Sequence, residues 1–138
     1  MKITARVAYA ISAVFELATH PPRQRVQARE IAARQQIPLR FLQQILTQLK
    51  KADLVKSVHG PAGGYALEKS ADEITLKDVM AAVEGEVLFF DPGLSSNTSI
   101  TKVWMEIEGY FQEKLESISI QDLIRRKIQE DEVIVYHI

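Results

Sequence analysis

Five polar side chains between positions 40 and 48 form the group with the most specific chemical potential. Arg40, Gln43 and Gln44 share one face if this stretch is helical, and Thr47 and Gln48 follow one turn later. A guanidinium group matches the two acceptors of guanine, and a carboxamide matches the donor and acceptor of adenine. The first three are therefore candidates for reading base edges, and the last two for reaching phosphate or sugar. Glutamine is also a common solvent-exposed residue, so both interpretations stay open for any single glutamine.

The apolar residues around this group predict the helix that positions it. Four of them recur at the i, i+3, i+4 and i+7 spacing of a single buried face: Leu42, Ile45, Leu46 and Leu49. Pro38 suits the first turn of a helix, where its missing N–H has no intrahelical partner to lose. The polar group then lies on the opposite face of an amphipathic helix that begins near Pro38.

A glycine-tipped hairpin follows this helix directly. The sequence predicts a strand over Leu54–Val58, a tight turn over Gly60–Gly64 and a returning strand over Tyr65–Leu67. A helix followed at once by such a hairpin has the order of a recognition helix and its wing. We expect the wing to bring three side chains to the phosphate backbone or the minor groove of a duplex: Lys56, Ser57 and His59.

Two helices are predicted before the recognition helix. The first covers Thr4–His20 and ends at Pro21, because the residue before a proline is driven away from helical angles. The second covers Val26–Ile37 and buries small side chains that let another helix approach. Two short helices joined by a few residues, the second with a polar outer face, are typical of a helix-turn-helix, although many helical hairpins bind nothing.

Charge is divided unevenly along the chain. Residues 1–70 carry eleven basic and four acidic side chains, a net charge of +7, whereas residues 71–138 carry six and fourteen, a net charge of −8. This asymmetry favours a polyanion as partner of the first half; the alternative is two solvated surfaces of opposite sign. Lys2 and Arg6 stand near the start of the first helix, where a cation opposes the helix dipole, and are candidates for contact with an external anion.

The second half of the chain predicts a fourth helix and a long fifth one. The fourth helix begins after the capping residue Thr75 and ends at Gly85, and the long helix covers Ile100–Ile118. The apolar residues of the long helix step by three or four positions and form a stripe: Val103, Trp104, Ile107, Tyr110, Phe111, Leu115 and Ile118.

Three further segments complete the second half. Asp91–Thr98 has the composition of a loop, and Asp122–Ile128 predicts a short helix. Val133–Ile138 is apolar for a terminal segment, and we expect it to form a strand or a docked tail.

Catalytic motifs are missing from this sequence. It contains no cysteine, no Gly-x-Ser-x-Gly elbow and no P-loop. Its three histidines, His20, His59 and His137, stand far apart and outside any metal-binding spacing. We therefore expect a protein that is not an enzyme and that holds no cofactor or metal.

The sequence also predicts a cytoplasmic location without a membrane partner. No apolar run approaches the roughly 20 residues that span a bilayer. The first residues, Met1–Arg6, lack the apolar core of a signal peptide, and there is no cysteine for a disulfide framework.

Several segments resemble the Rrf2 family of winged-helix transcriptional regulators. The main ones are Arg29–Ala32, Pro38–Leu46 and Leu54–Leu67, and the glycine-rich wing is the most specific match. Because Lys2–Thr4 and Ser119–Ile124 are also similar, the likeness covers nearly the whole chain. The resemblance implies a mostly α-helical fold with a small β-hairpin wing, and a homodimer that binds a dyad-symmetric DNA operator.

The resemblance also implies a division of labour along the chain. Residues 1–85 correspond to a winged helix-turn-helix DNA-binding domain, and residues 86–138 to a dimerisation or sensor region. The dimer is expected to cross through the apolar stripe of the long helix, and the expected activity is that of a repressor.

The chain departs from the cluster-binding members of the family at their ligand positions. Those proteins carry three cysteines in the loop that corresponds to Asp91–Thr101; the absence of cysteine excludes a cysteine-ligated iron–sulphur cluster. A second ligand scheme uses a carboxylate and a histidine on the first helix, where Ala8 and Ser12 stand here. The chain therefore resembles the branch of the cysteine-metabolism repressor, which a partner enzyme controls, more than the iron–sulphur cluster regulator.

The wing departs from the family pattern as well. His59 and Ala62 stand where an arginine and a glycine are usual. A neutral histidine is a weaker phosphate ligand than arginine, so we expect a weaker contact from this wing.

Two alternatives to an autonomous repressor stay open. The first is a protein-interaction module, controlled by or controlling a partner enzyme, that has lost operator binding; the missing sensor chemistry and the acidic second half favour it. The second is a small-molecule sensor with an aromatic pocket at Phe89, Phe90, Trp104 and Tyr110, residues for which packing in a dimer core is the simpler explanation.

Overall fold

The computed structural model describes residues 2–61, 63–91, 93 and 98–136, which form six α-helices and a two-stranded antiparallel hairpin. In chain order the elements are α1 (Ala5–Ala18), α2 (Ala28–Gln35), α3 (Leu39–Lys51), β1 (Val55–Val58), β2 (Gly64–Leu67), α4 (Leu76–Glu84), α5 (Ser99–Ser117) and α6 (Ile120–Tyr136). This confirms the predicted fold class. None of the described helices is long and apolar enough to cross a membrane.

The apolar face of α3 is buried against the neighbouring helices, as the periodicity predicts. Leu42, Ile45, Leu46 and Leu49 are each at most 2% exposed. Full burial of one side chain of this size contributes roughly 1.5–3 kcal/mol. The opposite, polar face of α3 is therefore fixed towards solvent.

Helix α2 is shorter at both ends than the predicted range Val26–Ile37. Val26 is fully buried but extended, and its N–H and carbonyl exchange hydrogen bonds of 2.9 and 2.8 Å with the backbone of Tyr65. The prediction was wrong here because a single buried valine fits a helix and a strand equally well. At the other end, Gln36 adopts a φ of 54°, and this left-handed residue ends the helix.

A buried carboxylate ties α2 to α1. Glu16 of α1 is 4% exposed, and its carboxylate lies 3.0 Å from Nε2 of His20. It also accepts hydrogen bonds from the Thr19 hydroxyl at 3.1 Å and the Gln35 amide at 3.3 Å, and the Arg34 guanidinium lies 3.8 Å away. Because Gln35 and Arg34 belong to α2, this cluster fixes the position of α2 on α1.

The predicted start and end of α4 are confirmed. The Thr75 hydroxyl accepts a hydrogen bond from the Asp78 N–H at 3.1 Å, and the Asp78 carboxylate accepts one from the Thr75 N–H at 3.0 Å. This reciprocal capping box satisfies two N–H groups at the start of the helix. Gly85, with a φ of 77°, follows its last residue.

The last helix is longer than predicted. Asp122–Ile128 is part of α6, which continues to Tyr136, so the strand, one of the two forms expected from Val133 onward, was wrong. Val133 and Ile134 are more than half exposed on this helix; residues 137 and 138 lie outside the described residues. An i,i+4 pair of 3.2 Å between Lys127 and Asp131 supports the added turns. The predicted loop at 91–98 also falls largely outside the described residues.

The start of α6 returns to the core of the helix-turn-helix. Ile120 is fully buried in the same apolar cluster as α1 and α3, and its N–H donates to the Ile74 carbonyl at 2.8 Å. Ser119 forms an isolated antiparallel bridge with Thr75. The long helix α5 is thus connected at its far end to the body of the protein.

We expect the cap at the start of α6 to make stability depend on pH. The Ser119 backbone N–H donates to the Asp122 carboxylate at 2.9 Å; this bond, followed by the Ser119 side chain, lowers the pKa of Asp122 from 3.8. A lowered carboxyl pKa stabilises the fold above the unfolded value and ceases to do so as pH falls through the folded value.

Asp122→Asn is therefore expected to be less stable than the unmodified protein at pH 6, and the difference should narrow as the pH falls below 3.8, as measured by urea denaturation. Asp131→Asn, on the exposed part of α6, is the matched control. Parallel pH profiles for Asp122→Asn and the unmodified protein would contradict this account of the cap.

Candidate DNA-binding surface

Helix α3 presents the predicted base-reading side chains to solvent. Arg40, Gln43, Gln44 and Thr47 are all exposed, and the Thr47 hydroxyl donates to the Gln43 carbonyl within the helix at 3.0 Å. Gln48 differs because it is half-buried, and its side-chain oxygen is enclosed without a hydrogen-bond partner among the described residues. Four of the five predicted contact residues on α3 are therefore exposed, and Gln48 is not.

One flank of α3 borders a polar groove of about 560 Å³, formed with the hairpin and the start of α2. Gln43 of α3 and Ser57 of β1 both line it, together with Gln27 and Arg29. Lys50 donates to the Ser57 hydroxyl at 2.8 Å and so links α3 to the wing. In the part of the chain that the structure describes, the N-cap residue Gln27 makes no side-chain hydrogen bond to α2, so the first N–H groups of the helix and Arg29 make this groove suitable for a phosphate.

The other flank of α3 borders a mostly apolar cavity of about 240 Å³ beside the start of α1. Arg6 of α1 and Gln44 of α3 both line it, together with Tyr9 and Phe41. Within the described ranges neither Arg6 nor Arg40 pairs with a carboxylate. Both guanidinium groups are thus available to an external anion or base.

Two of the predicted contact residues lie away from these flanks. Lys56 precedes Ser57 on β1, where successive side chains alternate between faces, and it lines a separate cleft of about 680 Å³ with Arg23 and Lys69. Lys2 borders another cavity, of about 210 Å³, beside α4. The predicted phosphate contacts are therefore not one continuous surface within the protomer.

The wing is anchored to the segment before α2 by its second strand and by its turn. On the strand, the backbone pair of Val26 and Tyr65 adds a third strand-like segment to the hairpin. At the turn, Nη1 of Arg25 donates to the carbonyl of the exposed His59 at 3.4 Å. The close approach of Val26 to the second strand needs Gly64, where a Cβ would lie 2.7 Å from the Val26 oxygen. The helix-turn-helix and its wing are thus one connected unit.

Sequence reasoning missed the segment that connects these parts. Arg25, Gln27 and Arg29 were assigned to no site, because the helix was predicted to start at Val26 rather than at Ala28. The excess of basic residues in the first half was the available signal. With the observed start of α2, Gln27 becomes its N-terminal cap position and Arg29 falls in its first turn.

The predicted dimerisation residues face two directions. Ile107, Phe111, Leu115 and Ile118 are half-buried within the protomer, whereas Val103, Trp104 and Tyr110 are 49%, 41% and 72% exposed. The ring of Phe89 lies 6.3 Å from that of Trp104 and 6.2 Å from that of Phe111. Part of the apolar stripe thus holds the segment after α4, and the rest faces solvent.

Helices α2 and α3 form a helix-turn-helix in which α3 exposes a face rich in amide and guanidinium groups. An anchored two-stranded wing follows α3, and this arrangement defines a winged helix-turn-helix protein of the DNA-binding class. The chain belongs to the Rrf2 family, whose description is iron-dependent transcriptional regulator, and it matches that family over residues 3–126. Its relatives are regulators of transcription, not enzymes.

Individual relatives support this assignment. A Synechocystis protein assigned as an HTH-type transcriptional regulator, slr0846, is 32% identical over 128 residues, covering 89% of this chain and 87% of that protein. Among solved structures, CymR, the global cysteine regulator of B. subtilis, has a TM-score of 0.81 at 28% identity and covers 89% of this chain and 95% of that one. IscR of T. potens has a TM-score of 0.76 at 33% identity and covers 92% and 88%.

The iron implied by the family description does not fit the residues of this chain. The sequence supplies no thiolate ligand. In the part of the chain that the structure describes, no three histidine, aspartate or glutamate side chains lie close enough to hold a metal ion. On helix α1, Ala8 and Ser12 offer neither a carboxylate nor an imidazole.

Proposed function

We propose that this chain is a homodimeric repressor that binds a dyad-symmetric DNA operator without a cysteine-ligated iron–sulphur cluster. The observation that carries the proposal is the exposed polar face of α3, which lies between the polar groove and the apolar cavity. Ser57 and Arg29 line the groove on one flank of α3, and Arg6 lines the cavity on the other. A helix flanked on both sides by phosphate-binding groups matches the requirements of a helix in the major groove.

We assign base reading and backbone contact to different side chains. Arg40, Gln43 and Gln44 read base edges from the first turns of α3. The remaining predicted residues hold phosphates or the minor groove: Lys2, Arg6, Thr47, Gln48, Lys56, Ser57 and His59. We add Arg29 to this set because it lines the polar groove beside α3. Each phosphate neutralised by a lysine or arginine adds a salt-dependent term to the affinity.

We further propose that residues 1–85 form the DNA-binding domain and residues 86–138 the dimerisation region. The support is the apolar surface that α5 leaves exposed, including Ile100 at 66% and Tyr110 at 72%. Burial of such side chains in a second copy of the chain would bring two α3 helices to a symmetric operator. Because its target is DNA, we assign the protein to the cytoplasm.

A substitution pair tests the division of labour. Gln44→Ala should relax the preference at one base pair of the operator, at a cost of about 1–3 kcal/mol on the preferred base only. Lys56→Ala should weaken binding to every sequence and flatten the salt dependence by about one unit of slope. The measurement is a salt titration of both variants on the operator and on scrambled duplexes. An equal loss from both changes on every sequence would contradict the assignment.

The position of Lys56 favours a second candidate function for part of the surface. Lys56, Arg23 and Lys69 line the 680 Å³ cleft behind the wing, away from the exposed face of α3. A protein-interaction module controlled by a partner enzyme would use such a cleft. If Lys56→Ala leaves the binding of all duplexes and its salt slope unchanged, this second function gains support.

A further inference from the structure

One exposed aromatic residue on α3 takes no part in the contacts proposed above. Phe41 is 47% exposed in the first turn of α3, next to the base-reading residue Arg40. Its ring offers no hydrogen bond to a base edge or phosphate. It also lies outside the buried core cluster of the protein. Next to side chains proposed to contact DNA, an exposed apolar group of this size is a candidate for an apolar contact with a base.

The surroundings of Phe41 form a small apolar cavity that opens on the same face. Its walls are Ala5 and Tyr9 of α1 with Phe41 and Ile45 of α3, and its rim carries Arg6 and Gln44. The cavity, of about 240 Å³, has room for a small apolar group. Because its rim residues are proposed to contact DNA, its occupant approaches together with the duplex.

The ring of Phe41 also supports its neighbour on α3. The guanidinium carbon of Arg40 lies 5.7 Å from the centroid of the Phe41 ring, within the range of a cation–π contact. Such a contact restricts the rotamers of an arginine that otherwise moves freely at the surface. Phe41 therefore both lines the apolar cavity and contacts the base-reading guanidinium group of Arg40.

We propose that the cavity receives the 5-methyl group of an operator thymine and that Phe41 is the residue that recognises it, beside the guanine read by Arg40. The inference rests on the proposed function. The thymine methyl is the apolar group that the four base pairs display in the major groove, and contact with an apolar side chain is how proteins read it. Removing one buried methyl from such a contact costs about fourfold in affinity.

Replacement of thymine by deoxyuracil in the operator tests this proposal, since the change removes only the methyl group. With a selected operator, each thymine is replaced in turn and the dissociation constant is measured. One thymine per half-site should show a loss of about fourfold. For Phe41→Ala the thymine and uracil duplexes should bind equally at that position, because the partner of the methyl is gone.

Two further variants separate the two roles of the ring. Leu39→Ala removes a similarly exposed apolar side chain from the other flank of α3, beside the polar groove. This variant should keep the full uracil penalty at the thymine that Phe41 contacts. Phe41→Leu keeps an apolar partner for the methyl but removes the cation–π contact. It should retain most of the uracil penalty while losing part of the preference for guanine next to it.

The outcomes distinguish this inference from the proposed function. Specific operator binding with no uracil penalty at any position, or with a penalty that Phe41→Ala leaves unchanged, would overturn the thymine site and leave the operator function intact. Failure of the unmodified protein to select any shared sequence would overturn both. Circular dichroism of each variant confirms that the helices are retained.

Discussion

Gly64→Ala is expected to lower the free energy of unfolding by roughly 2–3 kcal/mol and to weaken DNA binding. The added Cβ would lie 2.7, 2.9 and 3.2 Å from the oxygen, carbon and nitrogen of Val26. All three are backbone atoms, so the clash cannot be relieved by rotating a side chain. The two hydrogen bonds between Val26 and Tyr65 must lengthen or break, and the wing then loses its anchor beside α2.

The control for this change is Gly109→Ala. A Cβ at Gly109 of α5 meets no atom of the described chain within 4 Å, and alanine favours a helix over glycine by roughly 0.5–1 kcal/mol. Urea denaturation of the two variants should therefore give shifts of opposite sign. If Gly64→Ala unfolds at the same urea concentration as the unmodified protein, the Val26–Tyr65 pair does not anchor the wing.

Glu16→Ala is expected to lower the free energy of unfolding by about 2 kcal/mol, since hydrogen bonds to a charged group are worth about 1.5–3 kcal/mol. The substitution removes the shared acceptor of the cluster between α1 and α2 and leaves the half-buried His20 and the Gln35 amide without it. The Arg34 guanidinium is more than half exposed and still pairs with Glu30 at 3.1 Å, so it adds little to the loss.

Glu16→Gln is the matched variant, because it keeps the shape and one acceptor oxygen but removes the charge. It should lie between Glu16→Ala and the unmodified protein in chemical denaturation. DNA binding by Glu16→Ala should also weaken, since α2 supplies Arg29 to the polar groove between α3 and the hairpin. Equal stability of Glu16→Ala and the unmodified protein would mean that the cluster does not hold α2 in place.

The elements that the sequence predicts well are those with a local cause. Helix α3 follows from four leucine and isoleucine residues at strict helical spacing, and the start of α4 follows from the capping residue Thr75. Both signals lie within one or two turns of the chain. No distant contact is needed to interpret them.

The errors arise where distant contacts decide. Val26 extends because Tyr65, far along the chain, pairs with its backbone. Val133 and Ile134 suggested a strand or a docked tail because the segment is apolar, but among the described residues no strand lies beside them, and the helix continues through the charged turns before them.

The residue types of the candidate site were accessible from the sequence, whereas their grouping was not. That Gln43 and Ser57 line one groove, and Gln44 and Arg6 one cavity, depends on how α3 packs between α1 and the hairpin. The separation of Lys56 from Ser57 could have been predicted, because neighbouring residues of a strand point to opposite faces. Phe41 escaped attention because an apolar residue next to a buried face is ordinarily assigned to the core.

The central claim, that this chain binds a specific operator as a symmetric dimer, is tested most directly by selection of genomic DNA fragments. The purified protein is mixed with fragmented DNA at about physiological salt, and the retained fragments are sequenced. We predict enrichment of one sequence with dyad symmetry. Recovery of no shared sequence, with binding that disappears as salt rises, would leave only counterion release from the basic half of the chain and would contradict the claim.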